Sequence, residues 1–153
     1  MKRRAIILLL LLTVGFFAAC KKTPPDLHLM NNSGTALSTI YITNTNEWGP
    51  YLNYRPLADG TAFETTLESL GGPGIYSIGT VTTYDRTYTF FDIDLASGDT
   101  LDIGPEYVMN EMSLVPLTVT HADWTTTKYT GIAFYGWEVE EDVAKWGTWQ
   151  GNG

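Results

Sequence analysis

Cysteine, histidine and charge are scarce in this chain. One cysteine in 153 residues makes no intramolecular disulfide and no multi-thiolate zinc site. Only nine side chains are basic against seventeen acidic, a net charge of −8. Phosphate binding needs a basic face, so nucleic acid is excluded as a partner. The two histidines are His28 and His121. No G-x-S-x-G elbow, Ser-x-x-Lys, H-E-x-x-H or glycine-rich phosphate loop occurs. Aromatic residues are plentiful at 13%, which argues against a disordered chain. The length suits one domain around one core.

The N-terminus reads Met1-Lys2-Arg3-Arg4, then runs uncharged from Ala5 to Ala19, then Cys20. A basic start, an apolar run and small residues before a cleavage point make a secretory signal. The 15 apolar-run residues would span roughly 22 Å as a helix, short of a bilayer core of about 30 Å. A cleaved signal fits better than a permanent span.

Phe17-Ala18-Ala19-Cys20 resembles the lipobox of bacterial lipoproteins, with Phe17 where leucine is usual. The resemblance implies a diacylglyceryl group on the Cys20 sulfur, cleavage before Cys20, and acylation of the new amine by a fatty acid such as palmitate. The partner implied is a membrane, held through the N-terminal lipid. Several acyl chains at about 0.8 kcal/mol per buried methylene hold a domain there durably. Lys21 follows the cysteine, not the aspartate that marks inner-membrane retention in enteric lipoproteins. The expected place is therefore the bacterial cell envelope, at the outer membrane where the host has one. Thr23-Pro24-Pro25 makes a short stiff spacer. Loss of residues 1–19 leaves six basic and seventeen acidic side chains, a net charge of −11. Such acidity suits a cation or a basic partner, or simply keeps the domain soluble.

From Leu27 onward the dominant period is two. Strands are predicted at 27–29, 39–43, 61–67, 75–84, 87–95, 100–103, 114–120 and 129–137. Asn31-Asn32-Ser33-Gly34, Ala58-Asp59-Gly60, Gly71-Gly72-Pro73-Gly74 and Ser97-Gly98 supply the turns between them. The expected fold is all-β: a small antiparallel β-sandwich of about eight short strands, immunoglobulin-like or similar. A short C-terminal helix is predicted where Val139, Val143 and Trp146 share a face, with a strand through Val139 as the competing reading. The domain plan is a signal peptide over 1–19, a lipidated cysteine and tether over 20–26, and one domain over 27–150. Between Leu27 and Ile103, the turn glycines and the run Phe91-Asp92-Ile93-Asp94-Leu95 are similar to small secreted bacterial β-sandwich modules without an established activity. That resemblance covers about half the chain and implies fold, not function.

Candidate chemistry is sparse. His121 and Asp123 would share a strand face, half of a triad, but no serine stands ready and a surface turn is the plainer reading. No catalytic residue is assigned, and the protein is expected not to be an enzyme. A hairpin over 91–103 is predicted, with Phe91, Ile93 and Leu95 facing the core. Leu95 would pair with Asp99 and Ile93 with Leu101, leaving Gly98 for the left-handed position of the turn. That register sets Asp92 opposite Asp102 with Asp94 diagonal, three carboxylates that would suit Ca²⁺. The plainer reading is a solvated acidic face, with no cofactor.

Trp48, Tyr51, Tyr54, Trp146 and Trp149 are candidate anchors for a protein or glycan partner; filling the core is the alternative, chiefly for Trp48 and Trp137. Trp48, Tyr51 and Tyr54 lie in the long segment 44–59, the kind of loop where binding is usually placed. The leading expectation is a non-catalytic binding or structural domain. Alternatives are a calcium- or carbohydrate-binding module, and an acidic inhibitor of a basic envelope hydrolase.

Overall fold

The computed structural model describes residues 22–136. Every segment predicted as a strand that lies wholly within those residues contains one. In chain order the strands at predicted positions are β1 (Leu27–Asn31), β2 (Leu37–Thr43), β3 (Thr61–Thr65), β4 (Gly74–Thr82), β5 (Arg86–Leu95), β6 (Asp99–Ile103), β8 (Met112–Thr120) and, for the predicted segment that runs on past residue 136, β9 (Thr126–Tyr135). The additional strand is β7 (Tyr107–Met109). Three residues are too few for an alternation to be read. A single helical turn, α1 (Leu67–Leu70), follows β3 and is capped by Thr66. The predicted C-terminal helix and Trp137 lie outside the described residues.

The fold is all-β. Pairing joins the strands into one curled sheet in the order β2-β4-β5-β9-β8-β6-β1-β3, with β7 paired to β8. Every pair is antiparallel except β1 with β6, where Leu27 lies beside Asp99. Curling brings one face of every long strand into a common core. Leu29, Ile40, Ile78, Phe90, Leu101 and Leu117 are each wholly buried there. Their alternation with polar neighbours is the period-two signal that the sequence carries.

The segment from Asn44 to Gly60 closes the curl. Leu37 and Leu57 exchange backbone hydrogen bonds of 2.9 and 2.8 Å, and Leu52 N–H donates to Ile40 at 2.8 Å. Buried Asn53 acts as a piece of strand: its Oδ1 accepts from Ile40 N–H at 2.7 Å. Its Nδ2 donates to the carbonyls of Ser38 and Arg55 at 3.1 and 2.8 Å. Gly60 N–H then reaches Asn31 at 2.6 Å, beside β3. The otherwise open edge of β2 is thereby covered, which removes a template for unwanted pairing.

β5 departs from the predicted alternation. Tyr76 pairs with Ile93 while Ile78 pairs with Phe90, so β5 carries one extra residue. Asp92 takes up that residue at φ 57°, as in a β-bulge. The bulge reverses the parity of the strand. Phe90, Ile93 and Leu95 face the core, and Phe91 is only half-buried on the other face.

Candidate functional site

The strand directions define two ends of the molecule. β8 runs nine residues, roughly 30 Å at about 3.4 Å per residue. At its end are the β8–β9 turn, the β5–β6 turn and residues 22–26, the tether. At its start are the β7–β8 turn, the β4–β5 turn and the end of β9.

The tether end is built from carboxylates that hold chain segments together. Asp26 accepts from Ser97 Oγ and, through Oδ1, from Leu67 N–H at 2.7 Å. The Ser97 hydroxyl first, and then the Leu67 amide, hold the Asp26 carboxyl below its ordinary range. Asp99 has no exposed side-chain surface. Its Oδ2 accepts from Ala96 N–H at 2.8 Å, and its Oδ1 lies 3.0 Å from His121 Nδ1. His121 Nε2 lies 3.0 Å from Thr127 Oγ1. Acid, imidazole and hydroxyl therefore stand in the order of a nucleophile–base relay.

The partner of His121 is thus Asp99, not Asp123. Asp123 Oδ1 is taken by Thr125, from N–H at 3.0 Å and from Oγ1 at 2.6 Å. The sequence separation of 22 residues between Asp99 and His121 gives no local signal. Only the β6–β8 ladder, with Thr100 beside Thr120, brings them together.

At the other end Arg86 and Glu106 form an ion pair, with Arg86 Nε 3.0 Å from Glu106 Oε2. The guanidinium also stacks 4.2 Å above the Tyr135 ring. The hydrogen bonds from Arg86, ahead of its charge, are the main reason that the Glu106 carboxyl titrates below its ordinary range. The same end of the sheet carries exposed apolar side chains: Tyr84, Tyr107, Val108, Met109, Met112 and Tyr135. Met109 and Met112 face each other across the β7–β8 hairpin. Its turn residues Asn110 and Glu111 both have positive φ, 50° and 67°, as a two-residue hairpin turn of the I′ kind requires.

The predicted carboxylate cluster does not form. β5 and β6 are joined by the expected turn, with Gly98 at φ 89°, but they do not pair. Both edges of β6 are already filled, by β1 and β8. Asp92 sits in the bulge and Asp94 on an exposed stretch of β5. Asp102 accepts from Asn32 Nδ2 at 2.8 Å. Among the described residues, no three His, Cys, Asp or Glu side chains lie where one metal ion would reach them.

The predicted anchors divide. Trp48 is buried, and its ring lies 6.3 Å from Tyr41 and from Phe91. It covers the outer face of the sheet instead of standing out toward a partner, because the segment that carries it is hydrogen-bonded along β2. Tyr51 is half-exposed, and its ring stands edge-on to Tyr41 at 6.5 Å. Tyr54 is 99% exposed. Cys20, Trp146 and Trp149 lie outside the described residues. The chain matches no protein-family model, no curated protein and no solved structure.

Proposed function

We propose that the chain is a lipid-anchored protein of the bacterial cell envelope, at the outer membrane where there is one, whose β domain binds a protein partner and catalyses nothing. One observation carries the reading. The tether enters at one end of the sheet, while one group of exposed side chains, Tyr84, Tyr107, Val108, Met109, Met112 and Tyr135, lies at the other. A lipid on Cys20 would hold the first end near the bilayer and turn the second away from it. Tyr, Met and Arg are enriched at protein interfaces, and Tyr84, Tyr107, Met109 and Met112 lie at the same end of the sheet as Arg86, which stacks on Tyr135.

The test has two arms. Cells expressing the full chain are fed an alkyne-bearing fatty acid; label on the chain that disappears in Cys20→Ser supports the anchor, and label unchanged by that substitution overturns it. A photo-crosslinking residue is then placed at Val108, and for comparison at Tyr54. Crosslinks to one envelope protein from position 108, suppressed by Met112→Asp, support the contact face. Crosslinking from position 54 alone moves the face to the 44–60 segment.

The Asp99–His121–Thr127 order favours a second reading, an ester or amide hydrolase with Thr127 as nucleophile. It predicts turnover of activated esters that both His121→Ala and Thr127→Val abolish.

A further inference from the structure

The β8–β9 turn presents Trp124, 85% exposed, at the end of the molecule where the tether enters. Three contacts fix that neighbourhood. Gly98 N–H donates to Asp26 at 2.7 Å. A β carbon on Gly98 would lie 3.0 Å from that of Ala122. Asp99 meets His121, as described. The turn is rigid. His121 N–H donates to Thr125 at 2.8 Å and Trp124 N–H to His121 at 2.9 Å, while Asp123 is occupied by Thr125. Trp124 itself has φ 68°, a conformation that a bulky residue rarely adopts and that surrounding structure must hold. The chain thus keeps a large amphipathic ring in water, on a strained and fastened backbone, beside its tether.

Cys20 and Asp26 are six residues apart, so a lipid on Cys20 lies within about 20 Å of this end. Lys22 on the tether and Lys128 on β9 are also exposed here, two cations in a strongly acidic protein. Indole rings favour the layer between lipid headgroups and acyl chains, with the carbon frame inward and the N–H hydrated.

We infer that Trp124 seats in the lipid headgroup layer, making the β8–β9 turn a second membrane contact that sets how the domain stands. The inference rests on the anchor at Cys20. One contact is a swivel; two define an orientation, and this one turns the Arg86–Glu106 end outward.

The experiment uses the full acylated chain carrying 5-fluorotryptophan, in vesicles of phosphatidylethanolamine and phosphatidylglycerol. The Trp124 fluorine line is assigned by its loss in Trp124→Ala. Lipids bearing a nitroxide at the headgroup are then added. The expected result is several-fold broadening of the Trp124 line while that of buried Trp48 stays sharp. A Trp124 line as sharp as that of Trp48 overturns the inference. Cys20→Ser keeps the two readings apart: a chain that still floats with the vesicles as fully as the acylated one contradicts the anchor, whatever the Trp124 line does.

Discussion

Gly131 of β9 lies against the face of Phe90: a β carbon there would come within 2.5 Å of the Phe90 ring and 2.6 Å of the Thr89 carbonyl oxygen. Phe90 is wholly buried, and the Thr89 carbonyl oxygen is backbone, which cannot swing away as a side chain does. Gly131→Ala is therefore expected to destabilise the fold by about 1–3 kcal/mol. Urea unfolding of the substituted chain measures it. A loss under a few tenths of a kcal/mol would mean that the ring and the β5 backbone at Thr89 both give way.

Asn53 replaces part of a strand with one side chain. Asn53→Ala removes the acceptor of a buried Ile40 N–H and the donor to two carbonyls. The expected loss is about 2–3 kcal/mol, chiefly from the polar groups left unsatisfied. Amide exchange at Ile40 should rise more than exchange at Ile78, because the damage is confined to the covered edge of β2.

These two sites show what the sequence could and could not carry. Strand positions were legible because alternation is local: Leu27, Leu29, Ile40, Ile42, Leu117 and Val119 announce their face by spacing alone. Pairing was not, because both edges of β6 are taken by strands far away in sequence. The assumption that neighbours in sequence pair as a hairpin placed β6 beside β5, and the acidic cluster went with it. Phe91 was misassigned by the extra residue at Asp92, a shift of parity with no sequence mark. Asp99 begins a strand, where alternation marks its place in a pair, and nothing local marks its carboxylate as buried. For His121 the spacing points to Asp123, which is closer in sequence, and only the ladder selects Asp99.

Acid should weaken the fold through its hydrogen-bonded carboxylates. Glu106 is held below its usual range by Arg86, then by hydrogen bonds from Ser113 and Tyr88. Asp26 is held low by Ser97 and Leu67. A carboxyl whose folded pKa is depressed binds protons more readily when unfolded. Its stabilisation is complete above the unfolded value, about 4.3 for glutamate, and is lost as pH falls through the folded value. Stability measured by urea should decline from about pH 5 downward, and Glu106→Gln should make that decline shallower while lowering stability at neutral pH. An unchanged pH slope in Glu106→Gln would show that the pair carries no linkage.

The last prediction concerns the contact of Asp99 with His121. Burial gives the carboxylate no water to fall back on, so it depends on Ala96 N–H and on the imidazole. His121→Ala removes one of these and leaves the charge short of a donor. The expected loss is about 1–3 kcal/mol. Asp99→Ala orphans both donors and should cost at least as much. The two losses should not add: in a double-mutant cycle the coupling between directly bonded groups is expected at about 0.5–3 kcal/mol. His121→Asn separates hydrogen bonding from packing, because the asparagine Nδ2 stands near the place of the imidazole Nδ1 and donates to the same oxygen. It should recover much of what His121→Ala loses, although the link to Thr127 is gone. Equal losses for the alanine and asparagine variants would assign the stabilisation to the ring and its reach to Thr127 instead. Unfolding of the unsubstituted chain and the four variants at neutral pH decides between the two.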